Sequence, residues 1–319
     1  MTKVSLGFFI FTTLLSFFAE LWINDKPLFL IYNNKVLFPI FYHYSPEDLG
    51  IKNEIIINYK QLDPQKNTFA LWPLIRWNPN ETDLALDVFP SPPSLHHFFG
   101  TDDRGRDLFA RVIYGYRNTM TYGIICLLVS SLIGICFGVC MGFYGGYVDL
   151  FGMRVIEIIE SIPQLFLILV LISIFEPSIY LLAIYLSSLG WVKVANLMRT
   201  QILELKNQEF IHAARLLGMS DFQIILKHML PNSLSLVSTT APFSIISFIT
   251  FLSIVDFLGM GIAPPTASWG EIFQQAQTQF LVAPWIFWLP ALFMFMIFSL
   301  LYGIKKLLEK NLLFEGSSN

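Results

Sequence analysis

Reactive chemistry needs charged or nucleophilic side chains held close together, and this chain offers few of them. Of its 319 residues, 13% are charged and 55% are hydrophobic. Two carboxylates stand out because they lie inside apolar runs: Glu160, three residues before Pro163, and Asp256, at the end of a long apolar stretch. A carboxylate within a membrane span normally faces the bundle interior or a water-filled path. Glu160 and Asp256 are therefore candidates to line a translocation path, with helix capping or interhelical hydrogen bonding as the competing role for each. Cys126, Cys136 and Cys140 fall in one apolar run, and the last two share a helix face. No histidine or carboxylate accompanies them, so small packing residues are expected there, not a metal pair. His43, His96 and His97 lack metal-ligand spacing and are expected at the surface. No G-x-x-x-x-G-K-S/T phosphate cradle, G-x-S-x-G elbow, H-E-x-x-H pair or C-x-x-C array occurs. The chain is accordingly expected to be no enzyme, with no catalytic, cofactor-binding or metal-binding residue of its own.

What must position these side chains is a set of apolar elements. Soluble domains carry roughly a quarter charged residues, and this chain is far from that. Six runs of about the length a bilayer needs fall near 4–23, 119–143, 151–175, 179–198, 232–257 and 285–303. This predicts an all-α polytopic membrane protein with six transmembrane helices. Lys3 precedes the first run, yet Glu20-Leu21-Trp22 offers no small-x-small cleavage site. Residues 1–23 are read as an uncleaved anchor with a cytoplasmic N-terminus. Residues 24–98 are more polar, rich in Trp, Tyr and Pro, and expected outside, with 54–59 (EIIINY) as a candidate strand. The segment is short for an independent core and has no disulfide, so it should lean on the membrane part or a partner. In 100–117 (GTDDRGRDLFARVIYGYR), Thr101 or Asp102 is placed to cap a helix with Leu108, Phe109, Val112 and Ile113 on one face. Arg106, Arg111 and Arg117 fall opposite, a pattern suited to a membrane surface.

Further along, Gly134, Gly138 and Gly142 recur every fourth residue, a seam for close helix approach. Gly145-Gly146-Tyr147 reads as a tight loop, and Arg154 and Glu157 are spaced to pair. Lys193 is placed to snorkel, Pro242 to kink its span, and Trp269-Gly270-Glu271 to make a turn. Residues 209–231 (EFIHAARLLGMSDFQIILKHMLP) form a short amphipathic segment between two apolar runs. Ala213, Ala214, Leu216 and Leu217 are good helix formers, with Arg215 facing out. Gly218 supplies the left-handed position that stops a helix cheaply. Ser220 and Gln223 match a capping box, so a second helix starts there at a new angle. Pro231 should end it at Leu230 while suiting the first turn of the next apolar run. On physics alone, an amphipathic loop resting on the bilayer describes the segment as well.

The same residues carry a resemblance. Ala213-Ala214, Gly218 and Leu230-Pro231 resemble the EAA loop of ABC importer permeases, which forms a coupling helix seated in a groove on a cytoplasmic ATPase. His212 stands where that family usually has Glu, and His228 where it has Ile. GTDDRGRDLFARVIYG resembles, almost residue for residue, the segment before the second span in the C subunits of dipeptide/oligopeptide permeases. ELWINDKPL (20–28), LWPLIRW (71–77), FPSPPS (89–94), VDFLGMG and APW are similar to the E-subunit branch of the Yej-type peptide permeases. The resemblance implies the type I ABC importer permease fold. Its parts would be the anchor 1–23, a periplasmic insertion with its pre-span segment at 24–118, a five-helix core at 119–305 carrying the cytoplasmic coupling helix 209–231, and a cytoplasmic tail at 306–319. It implies that Phe210, His212, Ala213, Ala214, Gly218, Ser220, Asp221, Leu230 and Pro231 couple the chain to its ATPase. The implied activity is import of peptides, in some members also of the peptide-nucleotide microcin C, across a Gram-negative inner membrane by alternating access. Implied partners are a second homologous permease, one or two ABC ATPase subunits holding ATP and Mg, a periplasmic peptide-binding protein, the peptide cargo and the lipid bilayer.

Charge gives a separate check on orientation. With both ends inside, Lys3, Arg154, Arg199, Lys206, Arg215, Lys227, Lys305, Lys306 and Lys310 fall on the cytoplasmic side, while 258–285 carries no Lys or Arg. That is the positive-inside pattern, broken only by Arg104, Arg106, Arg111 and Arg117 before the second span. A net charge of −3 with no basic patch interleaved with aromatics speaks against nucleic acid. A channel or secondary transporter not driven by ATP is the competing class, but the two matching broken segments of an inverted-repeat carrier are not seen. A membrane scaffold or sensor, with 24–98 reading a ligand, is the third.

Overall fold

Apolar runs of span length leave the backbone no partner but itself, so helix dominates. A computed structural model describes residues 2–33, 35–49, 51, 57–62, 69–175 and 178–317. In chain order come α1 (Thr2–Phe17), β1 (Phe29–Tyr32), β2 (Lys35–Leu37), the one-turn α2 (Tyr59–Leu62), β3 (Phe69–Leu71) and α3 (Leu108–Tyr144). Then come α4 (Gly146–Ser161), α5 (Gln164–Ile174), α6 (Ile179–Lys206), α7 (Glu209–Leu216), α8 (Asp221–Ile224), α9 (Leu230–Phe257), α10 (Trp269–Gln279) and α11 (Trp285–Ser317). Among the described residues four helical runs are long and apolar enough to cross a membrane: α3, α6, Asp221–Phe257 and Trp285–Lys310. The bent pair of α4 and α5 makes a fifth if counted as one span. The expected first run is helical only to Phe17, with a 3-10 turn after it at Ala19–Leu21. Its 16 residues span about 24 Å at a rise of about 1.5 Å each, against a hydrocarbon core of about 30 Å.

The chain divides into two compact units, the first drawn from Met1–Phe9, Thr119–Ala263 and Met294–Asn319. Here α3 and α6 meet backbone to backbone along the glycine seam. A Cβ at Gly134 would lie 2.7 Å from the Trp191 carbonyl oxygen, at Gly138 2.5 Å from that of Ala195, and at Gly142 2.8 Å from that of Arg199. Only glycine permits this approach. Cys126 is buried and donates to the Ala183 carbonyl at 3.6 Å. Cys136 and Cys140 are exposed instead of packed; each lies two residues past a seam glycine, roughly 200° around the helix. The run 151–175 is broken, with α4 and α5 at 75°. Ile162 is extended at ψ 122, the conformation that a following proline favours, and Pro163 cannot continue α4. Gly145, at φ +66, is the residue that joins α3 to α4. Arg154 and Glu157 pair as their spacing suggested, and Arg199 of α6 pairs with Asp149 of α4.

The second unit comprises Ile10–Asn118 and Pro264–Phe293, and it corrects the all-helical expectation. β1 pairs antiparallel with β2 (Leu30 opposite Leu37) and with β3 (Leu30 opposite Ala70), in the order β2-β1-β3. Short runs of Phe, Leu, Ile, Val and Tyr favour such a pleated, half-buried surface. Asn33, at φ +49, is one of the few residue types that tolerates the left-handed turn between β1 and β2. Leu30, Leu37, Leu49, Tyr59 and Leu62 form a small core beneath the sheet. Of the expected strand 54–59, residues 54–56 lie outside the described ones, Ile57 and Asn58 are coil, and Tyr59 opens α2.

The pre-span segment differs too. Asp107, not Thr101 or Asp102, caps α3, its Oδ1 accepting the Ala110 N–H at 2.8 Å. The amphipathic stretch is the first turns of a helix that runs on to Tyr144, not a separate surface helix. Arg106 and Arg111 are 3% and 0% exposed. Arg106 Nε donates to Asp102 Oδ2 at 2.7 Å, and the same oxygen stands 3.3 Å from Arg111 Nε. Glu271 accepts from both guanidinium groups, and Arg111 also donates to the carbonyls of Pro79 (2.8 Å) and Pro265 (3.3 Å). Arg117 pairs with Glu20. Charges persist in an interior when paired and hydrogen-bonded. Each of Arg106, Arg111 and Arg117 is thus matched by a carboxylate, so a count of arginines before the second span overstates its positive field.

Glu271 itself lies in the first turn of α10, capped by Ser268 Oγ at 3.1 Å from its N–H, so Trp269-Gly270-Glu271 is helix and not a turn. His97 is buried, not at the surface. Its Nδ1 lies 2.9 Å from Asp107 and its Nε2 3.2 Å from Asp83. Burial pulls the imidazole pKa down, but hydrogen bonds to Asp107 and Asp83, with their charges, outweigh burial and hold it above the ordinary value.

Candidate functional site

The segment 209–231 folds largely as its residues dictate. α7 closes with Leu217 N–H on Ala213 O (3.0 Å) and Met219 N–H on Ala214 O (3.2 Å), the chain turning at Gly218 with φ +80. Ser220 Oγ accepts the Gln223 N–H and Gln223 Oε1 accepts the Ser220 N–H at 3.1 Å, a complete capping box that starts α8. The expected stop at Leu230 does not occur. Ile225–Met229 form a π-helical turn that leads unbroken into α9, with Pro231 in its first turn. A proline ring presses on the carbonyl four residues back and offers no N–H to it; the wider π turn accommodates both defects.

One face of this helix pair is anchored. Ile211, Ala214, Ile224 and Met229 are buried with Phe143, Met198 and Ile202. The other face is bare: Leu216 is 90% exposed, Leu217 84% and Phe222 70%. Phe210, His212, Ala213, Gly218, Ser220, Asp221 and Pro231 are also exposed, Leu230 is half-buried, and Ala214 points inward. Phe210 stands 6.3 Å from the His228 ring, and Arg215 reaches Asp221 across the turn at 4.0 Å. Leu216, Leu217 and Phe222 were not singled out in sequence as contact residues. The signal was available, because a short amphipathic helix needs no large apolar residue on its outward end.

Within the same unit a cavity of about 1340 Å³ opens among α4, α5, α6 and α9, larger than the roughly 300–1,000 Å³ usual for a small-molecule pocket. Glu160 lines it beside the Pro163 break, as do Gln164 of α5 and Lys193 and Gly190 of α6. From α9 come Thr240, Ser244, Ser247 and Thr250, with Phe243 and Phe251 among the apolar lining. Asp256 is placed elsewhere. It is buried, and its Oδ1 accepts the Ile262 N–H at 2.8 Å, fixing the loop after α9. Gly261 lies against that carboxylate with no room for a Cβ. The structure thus sets Glu160 on the cavity and Asp256 at a helix end. Lys193, which its position in the sequence alone suits to snorkel, lines the same cavity, whose other walls come from α4, α5 and α9.

Residues 134–313 match the family of binding-protein-dependent transport system inner membrane components. Over 289 residues the chain is 38% identical to the inner membrane ABC transporter permease protein YejE of Escherichia coli K12, covering 88% of this chain and 84% of that protein. It is 30% identical over 310 residues to the peptidoglycan transport system permease protein YejE of Agrobacterium fabrum, covering 88% and 81%. It is 39% identical over 214 residues to the oligopeptide transport system permease protein OppC of Haemophilus influenzae, covering 66% and 69%. A chain of the MetNI methionine ABC transporter, solved facing inward, shares the fold with a TM-score of 0.51 at 17% identity, over 63% of this chain and 97% of that one. The fold is therefore that of a helical polytopic membrane permease of the type I ABC importer kind, the membrane subunit and not the ATPase. The chain belongs to the binding-protein-dependent transport system inner membrane component family.

Proposed function

We propose that this chain passes peptides from periplasm to cytoplasm across a Gram-negative inner membrane, as one of two homologous permease subunits in an ABC importer. Relatives named for oligopeptide and dipeptide transport, OppC and DppC, support peptides as the cargo, and microcin C-like peptides belong to the same chemical class. The observation that carries the mechanism is the helix pair α7–α8, buried on one side and apolar but uncovered on the other. Exposed apolar clusters of this kind mark interaction sites, and a short helix with large apolar side chains suits a groove on a partner. Phe210, His212, Ala213, Ala214, Gly218, Ser220, Asp221, Leu230 and Pro231, with Leu216, Leu217 and Phe222, make up the coupling element. The ATPase that receives it holds ATP and Mg; this chain holds no cofactor.

The coupling element then lies in the cytoplasm. That places both termini inside, residues 24–98 in the periplasm and the tail after 305 in the cytoplasm. Six spans are reached by counting α1 with its adjoining 3-10 turn as the first and the bent α4–α5 pair as the third. ATP-driven closure of the ATPase pulls on α7–α8 and tilts α4, α5, α6 and α9 against the second permease, opening the cavity to a loaded periplasmic binding protein. Coupling of this sort is physical only if α7–α8 contacts the two ATPase states differently.

Gly218→Val tests the lever. A β-branched residue at φ +80 costs on the order of 1–3 kcal/mol, and no neighbour within 4 Å of the new Cβ complicates the result. Peptide uptake by the reconstituted importer should be lost while the subunits still assemble. Uptake at the wild-type rate would refute the lever.

A further inference from the structure

Resting on the peptide-import reading, we propose that the cavity holds the two charged ends of a short peptide, the ammonium on Glu160 and the carboxylate on Lys193. Both residues line the same cavity. Neither forms an ion pair with the other or with any described residue. Ionisable side chains within membrane spans are rare, and they normally pair with one another unless a ligand or water takes the partner's place. Two opposite charges left separate on an apolar wall neutralise the lumen overall while keeping a positive and a negative pole. A single inorganic ion meets repulsion at one pole, whereas a zwitterion satisfies both.

The α9 wall adds a second element. Thr240 donates its hydroxyl to Val237 O (2.9 Å), Ser244 to Thr240 O (3.4 Å) and Thr250 to Ile246 O (2.8 Å). Each hydroxyl proton is used within the helix, so what remains toward the lumen is oxygen lone pairs. Such a wall accepts N–H groups and suits the amides of a peptide backbone whatever its side chains. The apolar remainder of the cavity takes the side chains without choosing among them.

The test uses the assembled importer in proteoliposomes without its binding protein, so that only the permease cavity selects. A radiolabelled tripeptide with free ends and a benzophenone on its middle side chain is photo-crosslinked to this chain. Tri-alanine, N-acetyl-tri-alanine and tri-alanine amide compete. In the wild type, blocking either end should weaken competition about tenfold, the scale of one lost charge-assisted hydrogen bond. With Glu160→Gln the acetylated peptide should compete as well as the free one, while the amide stays weak. Lys193→Met should give the reverse. Glu160→Asp and Lys193→Arg keep the charges and should keep the wild-type order. Equal loss for all three peptides, loss of the order in the charge-keeping variants, or no crosslink to this chain would overturn the proposal. ATP-driven uptake of tri-alanine by the complete importer is read alongside. If uptake is present and the competition order absent, the end-charge site fails alone; if uptake is absent, the peptide-import reading fails.

Discussion

The glycine seam between α3 and α6 yields a sharp quantitative expectation. A Cβ at position 138 would stand 2.5 Å from Ala195 O and 2.6 Å from Met198 Cβ, whereas ordinary contact begins at 3.4 Å. Gly138→Ala must therefore part the two helices by about 0.9 Å, the difference between 3.4 and 2.5 Å. The obstacle is a backbone oxygen that cannot rotate aside. Overpacking of this kind costs about 1–3 kcal/mol, partly offset by the roughly 1 kcal/mol by which alanine favours helix over glycine. Gly7 separates the two effects, because it sits in α1 with nothing within 4 Å of its Cβ. Gly7→Ala gains the helical preference without the clash. The two variants should thus differ by about 1–3 kcal/mol in the unfolding free energy of the purified chain in bicelles. Adding Gly134→Ala to Gly138→Ala should cost less than the sum of the two, since one displacement relieves both clashes. If Gly138→Ala proves no worse than Gly7→Ala, α3 and α6 do not pack through their backbones.

His97 gives a pH signature. Its folded pKa lies above the ordinary 6.5, so its contribution is complete below that value and is lost as pH rises through the raised one. The melting temperature of the full chain should fall between about pH 6 and pH 9 more steeply than that of His97→Gln; parallel curves would mean that the imidazolium is not held by Asp107 and Asp83. Glu271→Gln leaves Arg111 and Arg106 to share Asp102 and should destabilise the chain by about 3–5 kcal/mol in denaturant titration, whereas a loss under about 1 kcal/mol would place the cluster in solvent.

What the sequence makes legible here is what is local. The seam comes from an i, i+4 repeat, the capping box from Ser220 and Gln223 three apart, and the turn from one glycine. What it hides depends on distant partners. Arg111 looks like a surface charge until Glu271, 160 positions away, arrives beside it. His97 looks like a surface histidine until Asp83 closes on its far nitrogen. The sheet needs strands of only three or four residues, too short for alternation to show. Pro163 was visible, but a proline in an apolar run reads as a kink until tertiary packing decides how far the chain turns. Glu160 stands out in the sequence as a carboxylate in an apolar run, whereas Lys193 does not, because only the fold brings α6 and the α4–α5 break to one cavity.

The central claim is that α7–α8 is the handle by which a separate ATPase moves this chain, and crosslinking tests it most directly. Ala213 is exposed and Ala214 is buried, so Ala213→Cys is the reporter and Ala214→Cys the silent control. Both are built in a background lacking Cys126, Cys136 and Cys140, since the last two are themselves exposed. In the assembled importer, Ala213→Cys should crosslink to the ATPase, and the yield should change between the ATP-bound and nucleotide-free states. A yield that ignores nucleotide, or a crosslink from Ala214→Cys as strong as that from Ala213→Cys, would contradict the account.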